Sequence, residues 1–306
     1  MIFFTQESSK WQERSDVLDV VGKHILSATI PSSSHSVIVR SLLQVIGSDK
    51  HTQLVTKAAN MLQQFAERLG SSFGTYAERC LSVCLAKFKD NNRNVVQALR
   101  HATRAVLETM PLELGTTQVL VGMSHSSASV QAEATELLAH CLCLHSPHGP
   151  FPDRLSSAQR IRHVKPLLPV LHSLCQHRTS ACREAGCLAF ASVQLFLDDN
   201  PQQFEPLIEG MLDEQRRIKV AVCLDTLRTA TYERTKKSKN VDHTSAAPPV
   251  DRRKQKKDNK SKKASTVGVD ASMLERIALR ELNGLVIDTP TLQFKSAIPT
   301  SFALRS

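Results

Sequence analysis

The sequence predicts an all-α fold: a solenoid of paired helices followed by a disordered basic tail. Three observations carry that reading. Apolar residues recur at steps of three and four, almost without interruption, from residue 11 to about residue 232, which sets them on one face of successive helices. The breaks in this pattern are short and rich in Gly, Ser, Asn and Asp, residues that favour turns. Aromatics make up only 5% of the chain against 41% hydrophobic residues, a balance suited to helices packed on helices rather than to aromatic-rich strands.

Taken in order, the elements begin at Trp11. It follows Ser8-Ser9-Lys10 and precedes Gln12-Glu13-Arg14, a turn-to-helix junction with a capping Ser and an early Glu. Turns then fall at Gly47-Ser48-Asp49-Lys50, Gly70-Ser71-Ser72, Asp90-Asn91-Asn92 and Ser124-His125-Ser126-Ser127. Leu81, Cys84, Leu85 and Phe88 mark one helix face between them, and Val95, Leu99, Ala102 and Val106 the next. Residues 145–158 contain Pro147, Pro150 and Pro152; proline cannot donate an interior helix hydrogen bond, so this stretch is a loop.

The turns hide a repeat. Aliphatic helix starts follow them at Leu54, Val95, Val130 and Cys182, spaced by 41, 35 and 52 residues, the last interval including the proline-rich loop. A period near 40 with two helices per unit marks HEAT or armadillo repeats. Such hairpins cannot bury their apolar faces alone and stack into a continuous slab. Residues 1–233 are assigned to this domain.

Beyond it the composition changes. Twelve of the 39 basic residues but only three of the 29 acidic ones fall within residues 234–263, so that this segment carries +9 and the rest of the chain +1. The basic character therefore belongs to the tail and not to the folded part. Residues 234–270, Lys-, Ser- and Asn-rich with Pro248-Pro249 and no apolar period, are expected to be a disordered linker. Residues 271–306 hold a short amphipathic segment at Met273, Leu274, Ile277 and Leu282 and receive no domain assignment.

No catalytic chemistry emerges, and no enzyme activity or cofactor is expected. There is no phosphate-cradling glycine loop and no G-x-S-x-G elbow, with eleven glycines in all. Solvation or ion pairing accounts for carboxylates scattered on helix faces. The eight cysteines sit mostly within apolar helical patterns and form no C-x-x-C pair, as expected of reduced buried thiols in a cytosolic or nuclear protein. The run Cys141, Cys143, His145, His148 offers zinc-type donors. Side chains at i and i+2 of a helix diverge, so it is read as buried cysteines entering a histidine-containing turn, with no metal assigned. No apolar run is long enough to span a membrane, and the first residues lack the basic start and long apolar core of a signal peptide.

Two features remain as binding candidates. In the tail, Arg252, Arg253, Lys254, Lys256, Lys257, Lys262 and Lys263 attract any acidic polymer, or serve only as a solubilising linker or nuclear address. Trp11, the single tryptophan, is either folded over the solenoid end or an exposed anchor of the kind that dominates interfaces.

Ser9-Lys10-Trp11-Gln12-Glu13-Arg14 resembles the opening of TOG domains in the ch-TOG/Minispindles class of microtubule polymerases. The stretch from Ala86-Lys87-Phe88-Lys89-Asp90-Asn91-Asn92-Arg93 to Asn94-Val95-Val96-Gln97-Ala98-Leu99 is similar to their third-repeat turn. Val130-Gln131-Ala132-Glu133 resembles the fourth repeat, Cys182-Arg183-Glu184-Ala185 the fifth, and Leu212-Asp213-Glu214-Gln215-Arg216-Arg217-Ile218-Lys219 the closing one. The likeness spans about residues 8–225 in the family's order. It implies a six-repeat HEAT paddle whose intra-repeat turns line one edge and bind an αβ-tubulin heterodimer. That edge would hold Trp11, Lys50, Thr52, Lys89, Arg93, Arg178 and Arg183, with the basic linker meeting the microtubule lattice and with a place on microtubules, spindle and centrosome. Gln12 stands where the family has Lys, Gln131 where a basic residue is common, and the helix before Trp11 is reduced to about ten residues. Two other readings stay open: a HEAT scaffold for a different protein, and a nucleic-acid-associated factor acting through its tail.

Overall fold

A computed structural model describes residues 10–26, 30–151, 155–198 and 200–241. All of these belong to one compact unit, Ile2–Lys254; the other, Gln255–Ser306 with Met1, lies outside the described residues. Among the described residues there are twelve α-helices, one 3-10 turn at Gly70–Phe73, and no strand. The helices are α1 (Trp11–Leu26), α2 (Ser32–Ser48), α3 (Thr52–Leu69), α4 (Gly74–Lys87), α5 (Arg93–Leu107) and α6 (Leu112–Met123). They continue as α7 (Ala128–Leu144), α8 (Ser157–Val164), α9 (Leu168–Cys175), α10 (Ser180–Phe196), α11 (Pro201–Ile208) and α12 (Glu214–Val241). This is the all-α HEAT-repeat arrangement that the spacing predicts.

Two layers result. Helices α1, α3, α5, α7, α10 and α12 pack each on the next, while α2, α4 and α6 form a second row and α9 and α11 pack on α10. Corresponding positions of successive helices in the first row are bonded. Lys57 on α3 donates to the Ser15 carbonyl on α1 (3.0 Å), Arg100 on α5 pairs with Glu133 on α7, and the Cys182 thiol on α10 donates to the Ala128 carbonyl of α7 (3.2 Å). Such matching of like positions requires the helices of this row to run parallel. Short turns link α3, α5, α7 and α10 to the preceding antiparallel helices α2, α4, α6 and α9, so the N-termini of this row gather along one edge.

Apolar packing between the rows holds the stack. Leu54, Val55, Ala58, Leu62 and Phe65 of α3, and Val95, Leu99, Ala102 and Val106 of α5, are fully buried at the helical spacing read from the sequence. Alanines and small residues let the helices approach closely. At Gly186 of α10 a Cβ would lie 2.8 Å from the Cys175 sulfur and 3.1 Å from the Cys175 nitrogen, so α9 rests on bare backbone there. All eight cysteines carry free thiols and six are buried. Burial pushes the pKa of the Cys80 thiol up to about 12, only partly offset by Arg79, and raises that of Cys84 still further. Thiols held protonated in apolar surroundings are chemically inert, so these two serve packing.

Three local findings depart from or refine the expectations. The first helix of the fifth pair is split into α8 and α9 around Lys165–Leu167, where Pro166 cannot donate to the preceding turn. The proline-rich loop before α8 is pinned by buried Arg160, which donates to the carbonyls of His145 (3.3 Å) and Phe196 (3.0 Å) and lies over the Phe196 ring. Finally, α12 continues through Val241, so residues 234–241, expected in the disordered linker, are helical. Arg, Lys and Thr without Gly or Pro are compatible with helix, and cations suit its negative C-terminal end. The remainder of the expected linker, with Arg252, Arg253, Lys254, Lys256, Lys257, Lys262 and Lys263, and residues 271–306 lie outside the described residues.

Candidate protein-binding edge

The edge is built from the N-terminus of α1 and the turns that precede α3, α5, α7, α10 and α12. Each N-terminus leaves backbone N–H groups without helical acceptors and carries the positive end of its helix dipole. Proteins commonly offset this with Asp or Glu in the first turn. Helices α3, α5, α7 and α10 have none there; only the outer two do, Glu13 on α1 and Glu214 on α12.

Cations stand beside the N-termini of α3, α5 and α10 instead. Lys50 is exposed just ahead of α3, Lys89 is exposed in the α4–α5 turn, and exposed Arg93 is the first residue of α5. Arg178 is exposed in the α9–α10 turn. A cation at a helix N-terminus is locally unfavourable by about a few tenths of a kcal/mol or more, so the four place charge where folding gains nothing from it. Arg183 differs. It is partly buried and donates to the carbonyls of His177 and Arg178, both at 2.8 Å, so its guanidinium braces the turn that carries Arg178.

Trp11 lies at the first position of α1 with its side chain 38% exposed. Its indole stacks on His51, the residue capping α3, with ring centroids 4.4 Å apart and planes 13° from parallel. Thr52 follows as the first residue of α3, its carbonyl accepting from Thr56 (2.8 Å). Between these positions and the α5 N-terminus runs an open cleft of about 440 Å³, lined by Ser15, Thr52, Thr56, Lys57, Asn92 and Asn94 among others. Asn92 caps α5 by accepting from the backbone of Asn94 and Val95, and the Asp90 carboxylate in turn accepts from the Asn92 backbone N–H (2.9 Å) and pairs with Lys87 (3.3 Å). The rigid turn thus presents Lys89 and Arg93 from a fixed frame.

The seven expected residues therefore share one edge but form two groups. Trp11, Lys50 and Thr52 adjoin through His51, and Lys89 and Arg93 lie across the cleft; Arg178 and Arg183 belong to a turn separated from these by the α6–α7 turn. That turn contributes hydroxyls and an imidazole rather than charge: Ser127 and Ser129 share a 2.9 Å hydrogen bond, and the His125 ring accepts from Ser127 N–H (3.0 Å). Sequence reasoning does not find His51, Asp49 and Arg14 as neighbours of Trp11. The Asp49-x-His51 turn ahead of a helix is visible in the sequence, but its pairing with a helix 40 residues earlier is not.

The Cys141, Cys143, His145 and His148 run does not converge. Cys141 is buried with its sulfur facing Gly115, the His145 ring lies near Phe151, and exposed His148 pairs with Asp198 (3.4 Å). No group of three or more potential metal ligands occurs among the described residues, and no helix among them is long and apolar enough to cross a membrane.

No protein-family model matches the chain. The chain is 30% identical over 142 residues to Protein mini spindles of Drosophila melanogaster, a match covering 46% of this chain and 7% of that protein. It is 30% identical over 106 residues to the spindle pole body component alp14 of Schizosaccharomyces pombe, covering 35% of this chain and 13% of that one. The chain thus spans a small part of the relatives it matches. Among solved structures, one determined for microtubule plus end tracking by XMAP215, CLIP-170 and EB1 superimposes with a TM-score of 0.63 at 25% identity, over 72% of this chain and 87% of that one.

Proposed function

We propose, from the premise that the described helices form a TOG domain of the ch-TOG/Mini spindles class, that this chain is a non-enzymatic module binding αβ-tubulin along its row of turns. The observation that carries this reading is the edge of parallel helix N-termini beside which exposed Lys50, Lys89, Arg93 and Arg178 stand. Charges arranged at some cost to the local helices serve a partner whose surface is acidic. Trp11 supplies the apolar anchor, Thr52 a hydroxyl at the rim of the cleft, and Arg183 the brace that keeps Arg178 outward. The basic linker, Arg252 to Lys263, adds a cationic contact to the acidic microtubule lattice. Its site of action is accordingly the cytoplasmic microtubule array, spindle and spindle pole.

Sedimentation velocity of the chain with soluble αβ-tubulin tests this. Wild type is expected to form a complex. Trp11→Ala should weaken it by roughly 30-fold or more, the scale of a central aromatic anchor. Folded wild-type chain that forms no complex would overturn the reading and leave a HEAT scaffold for a different protein.

A further inference from the structure

Trp11 stacks on a residue outside its own helix. One face of the indole lies flat on His51, and His51 belongs to the turn between α2 and α3, which is fixed from two sides. Asp49 accepts the His51 backbone N–H at 2.8 Å and pairs with Arg14 of α1 at 3.2 Å, with both side chains largely buried. Arg14 lies three residues after Trp11 on the same helix, one turn away. The circuit runs from Trp11 to His51, through Asp49 to Arg14, and back to Trp11. The His51 side chain makes no capping bond to α3, and its buried Nδ1 has no hydrogen-bond partner. Ring stacking, rather than hydrogen bonding at that nitrogen, therefore holds the imidazole against the indole.

We propose that His51 is the positioning residue of Trp11: it fixes the indole plane, commits one ring face to the protein, and presents the other to the partner. The role in binding rests on the tubulin reading above; the ordering of the indole does not. A side chain already fixed loses less freedom on binding. Asp49 and Arg14 act one step further back, by fixing the turn that carries His51.

Trp11 is the only tryptophan among 306 residues, so intrinsic fluorescence reports on this one side chain. The experiment uses the whole chain as wild type, His51→Ala, His51→Phe and Asp49→Asn, with far-UV circular dichroism melts as the folding control. Time-resolved anisotropy and acrylamide quenching are read first, without tubulin. His51→Ala is expected to speed the local depolarisation of the indole and raise its quenching constant. His51→Phe, which keeps a flat ring, should restore both towards wild type. Asp49→Asn gives an intermediate loosening, and it carries the test if His51→Ala does not fold. Tubulin affinity is read second: His51→Ala should bind roughly 3- to 10-fold more weakly, with His51→Phe recovering most of the loss. Unchanged indole dynamics in folded His51→Ala would overturn the proposal even if tubulin binds. If the indole loosens as expected but neither wild type nor Trp11→Ala binds tubulin, the positioning role stands and the tubulin reading falls.

Discussion

Glu133 and Glu136 sit almost one turn apart on α7, yet their environments set opposite expectations for the same substitution. Glu133 is nearly buried and receives both ends of the Arg100 guanidinium fork, from Nε at 2.6 Å and from Nη2. Removing its charge leaves Arg100 unmatched. Glu133→Gln should cost about 1 kcal/mol, a modest figure because Arg100 is 42% exposed and screened. Glu136 has no such fork. Burial raises its pKa first and the neighbouring Glu133 second, with Arg100 and Arg104 pulling the other way. A carboxyl whose folded pKa lies above its unfolded value contributes stability below the unfolded pKa and loses it as pH rises through the folded one. Glu136 charged at neutral pH is therefore a liability, and Glu136→Gln should melt at a higher temperature than wild type at pH 7. The gain should shrink towards zero as the melts are repeated below about pH 4, where the unfolded carboxyl is protonated as well. A stabilisation that persists unchanged into acid would show that charge is not its cause.

At the scale of elements, α9 and α10 depend on a missing side chain. Gly186→Ala places a methyl group 2.8 Å from the Cys175 sulfur and 3.1 Å from its backbone nitrogen. Backbone cannot yield as a flexible side chain would, so α9 must shift, at a cost of about 1–3 kcal/mol; chemical denaturation should show a lower midpoint with an unchanged slope. The helices differ in what the sequence makes legible. Core positions such as Leu81, Val95 and Val130 follow from period and spacing alone, because a helix exposes its apolar stripe to inspection residue by residue. The turns are legible too, since Asn92, Gly70 and Pro147 have few other uses. Which face meets which is not: nothing in the order of residues reveals that Gly186 supports Cys175, that Arg160 reaches the Phe196 carbonyl 36 residues away, or that His51 lies beneath Trp11. For the edge itself, the turns are legible in the residues, whereas which side chains would share it comes only from the resemblance to TOG domains. The inward reach of Arg183 is not, because an arginine on a turn reads as solvated until its partners are known. The end of α12 escapes the sequence for the reverse reason. Lysine-rich composition reads as linker, but lysine and arginine are also good helix formers, and α12 carries them to Val241.

Over the whole molecule, charge is divided between two segments of different kind, and this makes their contributions separable. Residues 234–263 carry +9 of the net +10. Residues 1–233 are nearly neutral in sum but present Lys50, Lys89, Arg93 and Arg178 from their turns. Fixed cations at a rim orient and speed encounter with an acidic surface, whereas the attraction of a cationic run grows with the number of charges it faces and falls off with salt. On the tubulin reading proposed above, Lys89→Glu combined with Arg93→Glu is therefore expected to slow association with soluble αβ-tubulin by about tenfold in stopped-flow measurements at low ionic strength, with a smaller effect on dissociation. Deleting residues 242–270 removes Arg252 to Lys263 and should leave that association rate within about twofold. It should nonetheless weaken co-sedimentation with microtubules. The weakening should be greatest at low salt, where the Debye length is about 30 Å at 0.01 M rather than about 8 Å at 0.15 M. If the deletion abolished binding to the soluble heterodimer while the double charge reversal left it intact, the turns would be structural and the tail would be the binding element. The resulting protein would be a solenoid that carries a cationic arm, and its partner would then be defined by charge alone.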